Sequence, residues 1–144
     1  MSSPHADSST PRPVRRLTFS YAGGQIDLVS DQLVTMIIPE SHSLGDLERA
    51  AGFAYILKDD QGLPLYGRSI PNPIPFDREV FDRDPKRSIR REANPQPKGS
   101  FVLLVPAIEH ARRIEFFGHP LKPEAFNESP RRLASFTLGK LPRP

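Results

Sequence analysis

Seventeen of the 144 residues are proline, more than twice the average usage of about 5%. Proline has no backbone N–H and breaks helix interiors and central strands, yet it sits well in turns and at strand ends. A helix-rich fold tolerates that content poorly. The placement fits: Pro39, Pro71, Pro106 and Pro130 each fall just after or between apolar runs, where a strand would stop. Leu, Ile, Val and Phe together number 38, enough for one packed core, and the length fits a single domain.

Between these stops the apolar residues keep the period of strands. Leu17, Phe19 and Tyr21 alternate with Arg16, Thr18 and Ser20, Gly23-Gly24 supplies a tight turn, and Ile26 with Leu28 resumes the alternation. Leu33 to Ile38 reads as a separate third strand buried on both faces. Ser43, with Asp46 three residues on and Gly52 beyond, brackets a helix of two turns. Phe53 to Leu57, the turn Asp59-Asp60-Gln61-Gly62 and Leu65 to Ile70 form a second hairpin. Phe101 to Val105 and Ile114 to Phe117 are expected to pair as a third, and Leu133 to Leu138 is a last strand.

The outcome is an all-β antiparallel sandwich of two sheets and about eight strands with one short helix, spanning residues 14–140 behind a disordered tail at 1–13. Residues 71–100 form a long charged loop with six prolines, in which Ser88 to Glu92 is read as an edge strand.

Tyr55 to Ile70, with its Leu65-Tyr66-Gly67-Arg68 string, resembles a strand, polar turn and strand hairpin of small immunoglobulin-like β-sandwich domains of uncharacterised bacterial proteins. Phe101 to Pro106 followed by Ala111 to Gly118 is similar to their final hairpin. The resemblance implies an immunoglobulin-like sandwich acting as an accessory or binding module.

Composition removes several kinds of chemistry. Without cysteine there are no disulfides, thiolate metal sites or cysteine nucleophiles. No apolar run at the start suits a signal peptide and none is long enough to span a membrane, so a cytoplasmic location is expected. A net charge of +3 falls short of the basic excess of nucleic-acid binders, and no glycine-rich phosphate loop occurs, so no nucleotide or other cofactor is expected.

Each remaining candidate site has a plainer alternative. Ser41-His42-Ser43 near Asp46 puts a base beside nucleophiles, the ingredients of a serine-type hydrolase, but no nucleophile-elbow motif is present and a helix-entry loop explains the same residues. His5, His42, His110 and His119 lack metal-ligand spacing. Asp59-Asp60-Gln61-Gly62 lacks the pattern of a calcium loop and reads as a turn. A carbohydrate-binding sandwich would need exposed aromatics, and without tryptophan it would draw on Tyr21, Tyr55 and Tyr66.

The loop at 71–100 holds the remaining candidate. Phe76, Val80 and Phe81 lie among Asp77, Glu79, Asp82 and Asp84 at the spacing of an amphipathic helical turn, and Lys86, Arg87, Arg90 and Arg91 follow. Arginines hold acidic groups through paired hydrogen bonds. The expected function is accordingly a non-catalytic protein-binding or accessory module. Phe76, Phe81, Lys86, Arg87, Arg90 and Arg91, or an exposed sheet edge, would meet another protein with an acidic surface, and self-association is left open.

Overall fold

A computed structural model of the chain describes residues 10–49, 52–74, 77–80, 90–93, 98–118 and 131–142, with side chains placed outside 77–80 and 90–93. Two antiparallel sheets pack face to face. The smaller has the order β2-β1-β7, from β1 (Arg12–Ala22), β2 (Gln25–Met36) and β7 (Lys98–Pro106). The larger has the order β4-β3-β8-β9, from β3 (Phe53–Asp59), β4 (Pro64–Ile70), β8 (Ala111–Gly118) and β9 (Arg131–Thr137). The expected all-β sandwich is the architecture observed.

Phe19 lies at the centre of the core. Its ring stacks on Phe101 of the neighbouring strand at 5.3 Å and meets Phe116 of the opposite sheet edge-on at 4.9 Å, while Phe53 and Phe136 complete the aromatic cluster around Phe116. Leu17, Leu57, Leu103 and Ile114 fill the space around it. Each buried side chain of this size contributes roughly 1.5–3 kcal/mol.

The first hairpin turns at Gly23 and Gly24, both at positive φ as the tight turn requires. Its return strand does not end at Leu28. Leu33 to Met36 is the second half of β2, which pairs with β1 from end to end, so the separate third strand is corrected. What interrupts the alternation is a bulge: Phe19 faces Leu28 and Thr18 faces Ser30, leaving Val29 unpaired and 58% exposed. Nor is this stretch buried on both faces, because β2 lies at the edge of its sheet and Ile37 is largely exposed.

Arg15 ties the sheets together. It lies directly opposite Val105 in β1, shares its face by alternation with Leu17 and Phe19, and is fully buried. Its guanidinium meets the Asp31 carboxylate at 2.6 Å and donates to the Gly139 carbonyl, just beyond the end of β9, at 2.7 Å. Burial pushes the Asp31 carboxyl up from its ordinary value even though the Arg15 charge and hydrogen bond pull it down.

The third hairpin is also corrected. β7 pairs with β1 and β8 pairs with β3 and β9, so the two segments occupy different sheets. The ladder partner of β7 is chosen by burial, since pairing with β1 sets Phe101 beside Phe19 and Leu103 beside Leu17. Pro106 has no N–H to extend a ladder, and residues 107–110 carry the chain over to the other sheet. The turn is held by hydrogen bonds from Ala107 N–H to the Pro13 carbonyl and from Ala111 N–H to the Ile108 carbonyl.

The expected two-turn helix is a six-residue 3-10 helix, Leu44–Arg49, laid on the outer face of the larger sheet. Leu47 buries there against Ala54, Ile56 and Phe117. It approaches β4 at Gly67, where a Cβ would come within 2.6 Å of the Leu47 side chain.

The 71–100 loop contains more order than expected. Asp77–Val80 is strand β5 and Arg90–Ala93 is strand β6, paired antiparallel in a ribbon that joins neither sheet among the described residues. The helical turn expected around Phe76, Val80 and Phe81 is thus corrected where it is described: the backbone of 77–80 is extended, its hydrogen bonding taken up by the antiparallel ladder with 90–93. Of the edge strand expected at Ser88 to Glu92, residues 90–92 lie in this β6, and Ser88 and Ile89 lie outside the described residues. The tail boundary shifts too, because Arg12 and Pro13 belong to β1.

Replacing Arg15 by Met leaves Asp31 without its partner and the Gly139 carbonyl without its donor. The expected loss is about 3 kcal/mol by urea denaturation. Arg15→Met combined with Asp31→Leu should return to within about 1 kcal/mol of the wild type, because the doubly apolar pair leaves no stranded charge.

Candidate interaction surface

Of the residues expected to meet a partner, Phe76, Phe81, Lys86 and Arg87 lie outside the described residues. Arg90 and Arg91 are on β6 opposite Val80 and Glu79, and only their backbone is placed. Among the described residues the surface open to interaction is therefore defined by the edges of the two sheets.

An unpaired edge presents a row of backbone donors and acceptors to whatever can align with it. The four edges are β2, β7, β4 and β9. That of β4 is closed. His42 N–H donates to the Gly67 carbonyl at 2.8 Å, Gly67 N–H donates to Ser41 Oγ at 3.1 Å, and Ser69 N–H donates to His42 Nδ1 at 2.9 Å. Arg68 and the Tyr66 hydroxyl hold the same segment by donating to the Glu40 and Pro39 carbonyls.

The β7 edge is touched by the Tyr55 hydroxyl, 3.4 Å from the Leu104 carbonyl. The two remaining edges are β9, of seven residues, and β2, of twelve. Over the twelve residues of β2 no hydrogen bond reaches the outer side of its backbone from any described residue. Val29 on the strand and Ile37 just beyond it are more than half exposed. A shallow depression of about 400 Å³ adjoins its first residues, lined by Gln25 and Asp27 of β2, Ser20 and Ala22 of β1, and Lys98 and Ser100 of β7.

The other sequence candidates are placed as follows. Ser41 and His42 form the cap over β4, with Ser41 Oγ also within hydrogen-bond reach of the His42 and Gly67 carbonyls. The nitrogen that a triad carboxylate would orient accepts a backbone N–H instead. Asp59 Oδ1 accepts the N–H groups of Gln61 and Leu63, and Gly62 has a positive φ, so these residues form a turn.

Tyr21, Tyr55 and Tyr66 are all buried, so none offers a ring face to a sugar. Burial, together with Tyr66, pushes the Tyr55 hydroxyl well above its ordinary value. No group of three or more His, Asp or Glu residues suited to a metal ion occurs among the described residues. His110 is exposed in the turn before β8, and His5 and His119 lie outside the described residues. No helix among the described residues is long and apolar enough to cross a membrane.

Sequence reasoning passed over Glu115, a carboxylate on the outer face of β8 that is only 3% exposed. Lys58 Nζ lies 2.6 Å from it, with Arg132 at 3.4 Å and Arg113 at 3.8 Å. Lys58 also reaches Glu48 of the 3-10 helix at 3.3 Å and lies over the Phe117 ring. Alternation places Glu115 on the polar face of its strand, but its burial comes from the surrounding side chains and from the 3-10 helix on that face, which no local pattern announces.

No protein-family model matches the chain, and no curated protein or solved structure matches it.

Burial pushes the Glu115 carboxyl up, but the hydrogen bond and charge of Lys58, with Arg113 and Arg132, outweigh it and set it below its ordinary value of 4.5. A depressed carboxylate stabilises the fold above its unfolded-state value, and that contribution is lost as the pH falls through the lowered one. Stability measured by urea midpoint should accordingly fall below about pH 4.5 in the wild type. In Glu115→Gln the loss should be smaller, so the gap between the two proteins narrows from pH 7 to pH 4; a gap that stays constant would contradict the assignment.

Proposed function

We propose that this chain is a non-catalytic protein-binding module, an accessory part of a larger assembly, that receives an extended segment of its partner along the outer edge of β2. Adding a strand to an open edge draws affinity from backbone hydrogen bonds and specificity from alternate side chains. The observation that carries the reading is the contrast between two edges. Ser41 and His42 close β4, whereas β2 offers twelve residues of backbone with no described hydrogen-bond partner on its outer side. Exposed Val29 and Ile37 supply apolar contact along the same line.

The β5–β6 ribbon, with Arg90 and Arg91 on β6, is proposed as a second contact suited to an acidic partner surface. The immunoglobulin-like character of the module and its placement in the reducing cytoplasm, where a chain without cysteine needs no disulfide, belong to the same proposal.

The test is co-purification of a specific companion with the tagged chain from its native host. Val29→Lys combined with Ile37→Lys adds charges at exposed positions, so the melting temperature should stay nearly unchanged while the companion is lost. Arg90→Ser with Arg91→Ser should weaken retention without abolishing it. A companion held equally by the lysine variant would remove β2 as the site, and loss in the ribbon variant alone would move the site to the ribbon. Wholesale replacement of residues 72–99 is ruled out as a control, because Ile74 packs on Tyr21 and β7 begins at Lys98.

A further inference from the structure

One of the hydrogen bonds that hold the cap over β4 depends on a titratable group. Of the hydrogen bonds that hold residues 39–42 to the strand, those to the Gly67, Glu40 and Pro39 carbonyls, and that from Gly67 N–H to Ser41 Oγ, survive any change of pH near neutrality. The bond at Ser69 does not. A backbone amide can only donate, so the ring nitrogen 2.9 Å from Ser69 N must offer a lone pair, and the imidazole must be neutral. An imidazolium carries N–H groups on both nitrogens, and protonation would set two donors against each other across that contact.

We propose that residues 39–42 are a pH-sensitive cap on the β4 edge, closed when His42 is neutral and released at Ser69 when His42 is protonated. Histidine is the type of side chain that ordinarily changes charge between about pH 5 and 8. The closed state holds only neutral His42 while the released state accepts either form, so lowering the pH shifts the balance toward release.

His42 has charged neighbours but no ion-pair partner among the described residues. The charged groups on the elements packed about it are Glu40 on its own segment, Arg68 on β4, and Asp46, Glu48 and Arg49 on the 3-10 helix. Arg68 is bound to the Glu40 carbonyl and Glu48 to Lys58, and no carboxylate among the described residues is paired with His42. His42 itself is exposed, so protons reach it freely. Release would free the Ser69 N–H alone, while Gly67 stays bonded to Ser41 and His42, so the change is a local loosening of the cap at one donor.

Amide hydrogen exchange on the full chain tests the device, with Ile56 in β3 as an internal reference. In the wild type, the protection factor of Ser69, corrected for intrinsic exchange, should fall roughly threefold to tenfold between pH 7.5 and pH 5.5, the range expected for one exposed hydrogen bond. His42→Asn sets a side-chain oxygen that does not titrate near the place of Nδ1, and its Ser69 protection should stay flat over the same range. His42→Ala should be poorly protected at both pH values. Protection in the wild type that does not change with pH, an equal fall in His42→Asn, or full protection in His42→Ala would each overturn the proposal.

Discussion

Arg15 carries a charge into the middle of an apolar core, and the arrangement of both sheets depends on what receives it. Asp31 neutralises it from the adjacent strand, and the Gly139 carbonyl accepts from it at the end of β9. Its neighbour Val14, pointing the other way, is also fully buried, so this end of β1 is covered on both faces. Such a pair is a poor source of stability, because desolvation offsets most of the attraction, and the upward displacement of the Asp31 carboxyl shows burial outweighing Arg15. What the pair supplies is register. With Asp31 fixed opposite Leu17, the extra residue of β2 is forced out at Val29, and Leu28 returns to the face of Phe19. A slip by one residue would strand the guanidinium.

That ion pair also explains which parts of the fold were legible in the sequence. The two hairpins turning at Gly23-Gly24 and at Asp59 to Gly62 could be read locally, since alternation and turn chemistry agree there. The continuity of β2 could not, because Ser30-Asp31-Gln32 resembles a loop until Arg15 is seen to share the parity of Leu17 and Phe19. That parity is visible in the sequence, but an arginine at a core position reads as a breakdown of the pattern and not as half of a pair. The partners of β7 and β8 were hidden for another reason: the choice between a hairpin and a crossing is decided by the distant ring of Phe19.

The candidate surface was legible only in outline. Ser41 and His42 drew attention as chemistry, since hydroxyl beside imidazole is the vocabulary of nucleophilic catalysis, yet their atoms complete the hydrogen bonding of a strand edge. The types of residue that catalyse are also the types that cap, because both tasks need compact side chains with lone pairs. An open edge, conversely, has no sequence signature at all. It is defined by where the rest of the chain does not go.

The bulge at Val29 limits what β2 can receive. A bulge bends its strand and sharpens the twist, which is one way natural sheets blunt their edges. It divides β2 into residues 25–28 and 30–36, and a straight incoming strand can follow only one of these without breaking its ladder. Four residues beside a hairpin turn give few bonds, so under the proposed reading the longer stretch would be the one to hold a partner. That stretch contains Asp31, whose carboxylate is committed to Arg15, and it ends beside exposed Ile37. Recognition there would rest on backbone pairing and apolar contact, with the ion pair beneath it keeping the edge straight and in register.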